Sequence, residues 1–401
     1  MPSCHRLSSR LPRFAVVFGV LLSVLALAPG ALAASHAAKS VKKSAAAKAH
    51  DSSSGPAEGI FDNCDLSTEL SVCEQRLSVM ARAGLRVVVL GGIGLVSEQN
   101  LQAYAGFARS LGMGVMWELN DPGFWGGAWT GSSAAADFSQ FAGACGCTST
   151  TGVLDAMIGF LSGLPGTYGY YAADDESITP GQGNGLREFV SEIKRVDPDH
   201  MVMVGASAGQ GQSNATSGAV LGNEIYPVTT GQIADQNNNL AVWDEVQQQI
   251  TQSQTSATRH QQASAFILQA FTFGDNLADG QAVGVCTAQM TQQQCYHKLL
   301  YPSSQVQLEL RNEVLAHSHP KLILWYSFQQ TYGQAGTDTY SLYPTGALAH
   351  ARWQGLTEAI NAPLPALATA ARAHTNKRTH KTSGHKTRGH HTTNHNHTTK
   401  R

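Results

Sequence analysis

Acidic side chains gather where short apolar runs of this sequence end. The run TYGYYAADDES (167–177) closes on Asp174, Asp175 and Glu176, and GIFDNC (59–64) closes on Asp62. MGVMWELN (113–120) ends with Trp117 and Glu118, and AVLGNEIYPV (219–228) with Glu224 and Tyr226. SAFILQAF (264–271) ends near Gln269 with Asp275 just beyond, and KLILWYSF (321–328) carries Trp325. Paired carboxylates suit chemistry at a glycosidic bond, where one acid protonates the leaving oxygen and the other stabilises or attacks the anomeric carbon. Aromatic faces beside them can pack on sugar rings, and Trp125 and Trp129 stand in a Gly-rich segment after Glu118. Side chains alternate along a strand, so Asp174 and Glu176 share one face. Two acids on one face repel, and one of them then keeps a proton near neutral pH. The candidate catalytic set is therefore Glu176 as general acid/base, Asp174 tuning it, and Glu224 or Asp275 as second carboxylate. The candidate substrate-binding set is Asp62, Trp117, Glu118, Trp125, Trp129, Asp175, Tyr226, Gln269 and Trp325. The plainer alternatives are core packing for the tryptophans and turn capping for the acids.

These residues need a scaffold that brings strand ends together. The apolar runs alternate with segments of helical period, among them 66–83, 97–110, 134–164, 185–196, 240–258, 303–317 and 346–360. A further strand is expected at 85–92, where Val87, Val88 and Val89 are β-branched, and another at 200–207. Strands alternating with helices predict a parallel sheet. Eight such units predict a closed (β/α)8 barrel of α/β class, with its site at the strands' C-terminal ends. The connection between the fifth and sixth strands is short and rich in Gly and Ser, which makes its helix the weakest expectation. The competing topology is an open, doubly wound sheet. No Gly-x-Gly-x-x-Gly turn follows the first strand, so nothing points to a dinucleotide, and no cofactor is expected.

On these residues the chain resembles the large clan of barrel glycoside hydrolases. That clan ends strand four in Asn-Glu, and Asp175-Glu176-Ser177 stands at the matching place, which implies Glu176 as acid/base. Trp325 matches the clan's tryptophan on strand eight. The clan's nucleophilic Glu on strand seven is replaced by Gln269, which leaves Asp275 or Glu224 to supply the second carboxylate. The chain is also similar to chitinase-like barrels in Asp174-x-Glu176, Tyr226 and Trp325. In that family the substrate's acetamido group is the nucleophile. Tyr170 and Ala172 stand where that family's further acids would be. A barrel without its strand-seven nucleophile could equally be a carbohydrate-binding or cell-surface protein that kept the cleft.

The ends carry different signals. Arg6, Arg10 and Arg13 precede an apolar run from Phe14 to Ala28, and Ala31-Leu32-Ala33 follows. This is the pattern of a cleaved signal peptide at 1–33, the run being shorter than the ~20 residues of a spanning helix. Residues 34–57 read as an Ala/Lys/Ser spacer, 58–365 as the barrel, and 366–401 as a disordered His/Lys/Thr tail. No other segment is apolar enough to span a membrane. From Pro56 to Pro365 there are 27 acids and 12 bases, whereas the tail has eight bases and no acid. An acidic core argues against nucleic acid as the ligand. The basic ends suit an anionic cell-wall polymer. Seven histidines between His374 and His397 are read as solvated, and no metal is expected. The six cysteines after the signal suit an oxidising compartment, with Cys64–Cys73 and Cys286–Cys295 as expected disulfides. The pairing of Cys145 and Cys147 stays open. The expectation is thus a secreted, possible wall-bound barrel acting on carbohydrate.

Overall fold

The computed structural model describes residues 55–119, 138–174, 182–206, 218–228, 240–272, 286–291, 301–330, 340–341 and 347–365, with single residues 281 and 294. The chain divides into two units, Met1–Pro365 and Ala366–Arg401, and the second lies outside the described residues. The signal peptide and nearly all of the spacer lie outside them too.

Eight parallel strands form the first unit's sheet: β1 (Ala57–Asp62), β2 (Val87–Leu90), β3 (Gly114–Glu118), β4 (Thr167–Ala173), β5 (Met201–Ala206), β6 (Val220–Ile225), β7 (Ser264–Gln269) and β8 (Leu322–Gln330). They pair in sequence order, and β1 also pairs with β8, so the sheet closes. A two-residue strand β9 (Tyr340–Ser341) adds antiparallel to the end of β8. The Tyr326–Ser327 peptide bond is cis. The described helices are α1 (Leu70–Arg82), α2 (Glu98–Ser110), α3 (Ser139–Cys145), α4 (Thr150–Ser162), α5 (Gln182–Val196), α6 (Leu240–Arg259), α7 (Ser304–His317) and α8 (Ala347–Asn361). A helix follows every strand but β5, whose connection at 207–217 lies outside the described residues. The fold is a (β/α)8 barrel.

Local chemistry explains the helix starts. Ser97, Ser149 and Ser303 cap α2, α4 and α7, each accepting a backbone N–H from three residues on. The helical segment expected at 134–164, interrupted around Cys145, is two described helices, broken where Gly146 adopts a left-handed φ of 63°.

Two apolar layers follow from strand alternation. One cluster holds Phe61, Val89, Met116, Tyr171, Met203, Ile267 and Leu324, with no helix residue in it. It is the barrel lumen. The other joins the alternate strand positions, such as Ile60, Val88, Trp117, Tyr170 and Trp325, to the helices. Which layer a strand-end residue joins therefore decides whether it can meet a ligand.

Cys64 and Cys73 are joined, tying the start of α1 to the end of β1, with both sulfurs buried. Cys145 and Cys147 are also joined, at the corner between α3 and α4. Cys286 is disulfide-bonded, and Cys295 lies outside the described residues. Disulfides suit an oxidising, extracellular setting. No single described helix is long and apolar enough to cross a membrane.

Candidate active site

The C-terminal mouth of the barrel brings together Glu118 from β3, Asp174 after β4, and Glu224 from β6. Glu118 stands two residues beyond the lumen residue Met116 and shares its face. Gly91, after β2, lies against it: a Cβ on Gly91 would stand 2.6 Å from Glu118 Oε2 and 3.8 Å from Asn63 Oδ1. A side chain here would push this carboxyl aside, while the Asn63 amide would be in ordinary contact with it. Burial, reinforced by the charge of Asp174, pushes the Glu118 carboxyl up to about 8. It therefore holds its proton at neutral pH.

Asp174 reaches the lumen because β4 bulges. Tyr171 pairs with Met203 but Ala173 pairs with Val204, so two residues of β4 answer one of β5. Ala172 and Ala173 both join the helix-facing layer, and Asp174 returns to the face of Tyr171. The Tyr171 hydroxyl donates to Asp174 Oδ1 at 2.5 Å. Burial first, then the charges of Asp174 and Glu224, push that phenol well above its ordinary value, so it is a permanent donor. Gly205 on β5 makes space for it, since a Cβ there would overlap the Tyr171 ring and hydroxyl.

Glu224 follows Gly222 on the inward face of β6 and is buried. Beside it the lumen is lined with rings. Phe61 meets Tyr171 and Tyr326 edge-on at 5.2 and 5.3 Å, and Phe271 meets Tyr226 and Tyr326 at 5.0 and 5.5 Å. Edge-to-face contacts of this kind hold aromatic walls rigid.

Four expected contacts fall elsewhere. Asp62 faces the helices, not the lumen, and takes an ion pair from Arg76 of α1 at 3.1 Å. Burial, outweighing Arg76, raises its carboxyl to about 6. Trp117 also faces outward and donates its indole N–H to Thr167 Oγ1 at 2.9 Å. Trp325 is fully buried in the same layer, its indole N–H 3.3 Å from Glu58 Oε2, while Arg311 of α7 binds Glu58 Oε1. These three residues are packing and pairing groups, and none is a sugar platform. Gln269 is buried with its amide engaged: it accepts from Val228 N at 2.8 Å and donates to the Val228 and Phe271 carbonyls. It anchors the segment after β6 and has no amide group left for a ligand. Tyr226 and Glu224 do stand at the mouth. Asp175, Glu176, Asp275, Trp125 and Trp129 lie outside the described residues.

Sequence reasoning placed Asn63 and Tyr326 at strand ends without giving them a role, and did not single out Tyr171 or Phe271. Alternation was the available signal, because once Phe61 is inward so is Asn63, and Tyr326 is inward if Trp325 is not. Among the described residues no group of three His, Cys, Asp or Glu is placed to hold a metal.

No protein-family model and no curated protein sequence matches the chain. Solved structures do resemble it. The β-galactosidase of Rahnella sp. R3 matches at TM-score 0.51 and 10% identity, over 76% of this chain and 55% of that one. The β-glucuronidase of Lactobacillus rhamnosus matches at 0.47 and 13%, over 78% and 51%. The endo-1,4-β-mannanase of Rhizomucor miehei matches at 0.46 and 12%, over 77% and 98%. The chain spans about half the length of the first two. At these identities the likeness is one of fold. Only the first, at a TM-score above 0.5, bears on the fold, and the closed (β/α)8 barrel stands on the strand pairing itself.

Proposed function

We propose that the protein is a secreted glycoside hydrolase working at the C-terminal mouth of its barrel. One observation carries the reading: a lumen-facing carboxyl, Glu118, that keeps its proton to about pH 8 beside a second acid, Asp174. In this reading Glu118 donates that proton to the leaving glycosidic oxygen. Glu224 takes a proton from a water that attacks the anomeric carbon, so one proton is given and one received. Strands β3 and β6 stand three places apart around the ring of eight. Both carboxyls belong to the lumen face, and a separation of about 6.5–9.5 Å would leave room for the attacking water and invert configuration. Glu176 and Asp275 are the competing acid and second carboxylate. The test is a glycan panel digested by wild-type protein, Glu118→Gln and Glu176→Gln. Loss of hydrolysis in Glu118→Gln with binding retained supports the assignment. Loss confined to Glu176→Gln moves the acid to the β4 connection.

A non-catalytic carbohydrate-binding barrel is the second reading, favoured by one observation. Gln269 occupies the end of β7 with its amide committed to the backbone, where a hydrolase of the resembled clan carries its nucleophile. Glycan binding without turnover in wild type would select it.

The basic tail is proposed to hold the protein on anionic wall polymer, through charge that salt screens. Deleting 366–401 should release the protein from walls at a lower salt concentration, and unchanged retention would refute that role.

A further inference from the structure

Two disulfides lie wholly within the described residues, and they are built for different ends. Cys64–Cys73 joins residues nine apart, ties the end of β1 to α1, and has both cysteines shielded, at 3% and 0% exposure. Cys145–Cys147 joins residues two apart. A bond that closes so short a loop removes little freedom from the unfolded chain. The corner it spans is also held without it. Cys147 donates its backbone N–H to the Ala142 carbonyl at 3.1 Å, and Gly146 supplies the left-handed φ that turns the chain. As a brace the bond is redundant. It is also open to solvent: Cys145 is exposed and Cys147 half-buried, whereas Cys286 is buried like Cys64 and Cys73. Exposed disulfides are the readily reduced ones.

The two sulfurs of this pair have unlike surroundings. Cys145 ends α3, and its Sγ lies 3.6 Å from the Ala142 carbonyl oxygen. Cys147 lies over the first turn of α4. A Cβ on Gly152 would stand 3.3 Å from Cys147 Cβ and 3.4 Å from its Sγ, so a side chain there would crowd it. The unpaired N–H groups at the start of this 13-residue helix favour a thiolate. A thiolate on Cys145 would meet a carbonyl oxygen instead. The exposed sulfur is thus the one open to attack, and the sheltered sulfur is the better leaving group.

We infer that Cys145–Cys147 is a thiol–disulfide exchange site. Cys147 packs against the helix-side layer, so the site lies outside the lumen and does not depend on the carbohydrate reading. Its substrate is a thiolate, from a low-molecular-mass thiol or from a cysteine of another polypeptide. The thiolate sulfur bonds to Cys145 Sγ, the Sγ–Sγ bond breaks, and its electron pair leaves on Cys147. A second thiolate attacks the substrate sulfur of the mixed disulfide and releases Cys145. Two thiols become one disulfide, and their two electrons and two protons end on the cysteine pair. A low-molecular-mass disulfide restores the pair by the same steps reversed.

Full-length wild type is held in glutathione buffers of rising reduced fraction, alkylated while folded, and mapped by mass spectrometry. Cys145–Cys147 should open while Cys64–Cys73 stays closed and circular dichroism is unchanged. In the opened protein, iodoacetamide should mark Cys147 at lower pH than Cys145, and the reverse order overturns the assigned roles. A reduced two-cysteine peptide and free cysteine are then each oxidised by oxidised glutathione, with catalytic amounts of wild type or of Cys145→Ser/Cys147→Ser. Wild type should speed the loss of thiol about fivefold or more over the double variant. Acceleration with the peptide alone supports exchange with polypeptide thiols, and acceleration with free cysteine supports exchange with small ones. Equal rates with wild type and the double variant for both thiols overturn the inference. So does a Cys145–Cys147 bond that opens only together with Cys64–Cys73 or only in denaturant.

Discussion

Two sets of shielded carboxylates lie on the two sides of one sheet, and they are finished differently. On the helix side, Glu58 is closed by Arg311 at 2.6 Å and by the Trp325 indole, and Asp62 by Arg76. On the lumen side, Glu118 has Asp174 for a neighbour, and Asp174 has a phenol. Burial raises Glu58, Asp62 and Glu118 alike, because low polarity disfavours charge whatever its purpose. The second neighbour makes the difference. A guanidinium pulls the raised carboxyl back towards its charged form and ties a strand to a helix. A like charge pushes it further up and leaves the proton available for transfer.

The comparison breaks first at Glu118. Replacing it with Gln keeps the shape but removes the transferable proton, and hydrolysis should fall by about 10²–10⁴-fold, the usual scale of general acid catalysis. Folding should survive, as read by circular dichroism, and activity within a few fold of wild type would place the acid elsewhere. On the helix side the opposite pattern is expected. Arg311→Met leaves Glu58 buried without its cation and should cost about 3–5 kcal/mol in urea unfolding. A change below about 1 kcal/mol would mean that Glu58 simply takes up a proton or water there.

The pH profile sharpens the same contrast. A proton donor raised to about 8 gives kcat/KM an alkaline limb near that pH, and activity falls as pH rises through it. Asp174→Asn removes the like charge, so the limb should move to lower pH, and a limb that stays in place would deny Asp174 its influence. The sign for stability follows. Glu118 is raised above 4.5 on folding, so its contribution is complete below that value and is lost as pH rises through about 8. Wild type should therefore lose thermal midpoint relative to Glu118→Gln across that interval. The smallest effect belongs to Tyr171→Phe, which deletes one hydrogen bond to Asp174 and should cost about 1 kcal/mol of stability. A pH limb shifted by this variant, beyond the loss of stability, would show that the phenol sets the charge of Asp174.

Much of the architecture was legible. Val87 to Leu90 and Leu322 to Leu324 announce buried strands by composition, and Ser97 marks the start of α2 by capping. The phase of each strand was less legible. Trp117 and Glu118 are adjacent and both looked suited to a sugar, yet alternation sends one to the helices and the other to the lumen. At β4 no count along the sequence could have found the face of Asp174, because the bulge at Ala172 resets the alternation. The bulge is a property of pairing with β5, and a single strand's sequence does not display it.

Gln269 shows how a position can be closed to evolution from two directions. Turning it into Glu would deliver a carboxylate to the end of β7 by a single exchange of nitrogen for oxygen. That nitrogen, however, is the donor for both the Val228 and Phe271 carbonyls. An ionised acid would face two carbonyl oxygens with nothing to offer them, and the segment after β6 would keep only the Val228 N–H of its tether. A nucleophile could be acquired at this address only after another donor had taken over the fastening, so the order in which such changes arrive is fixed by two hydrogen bonds.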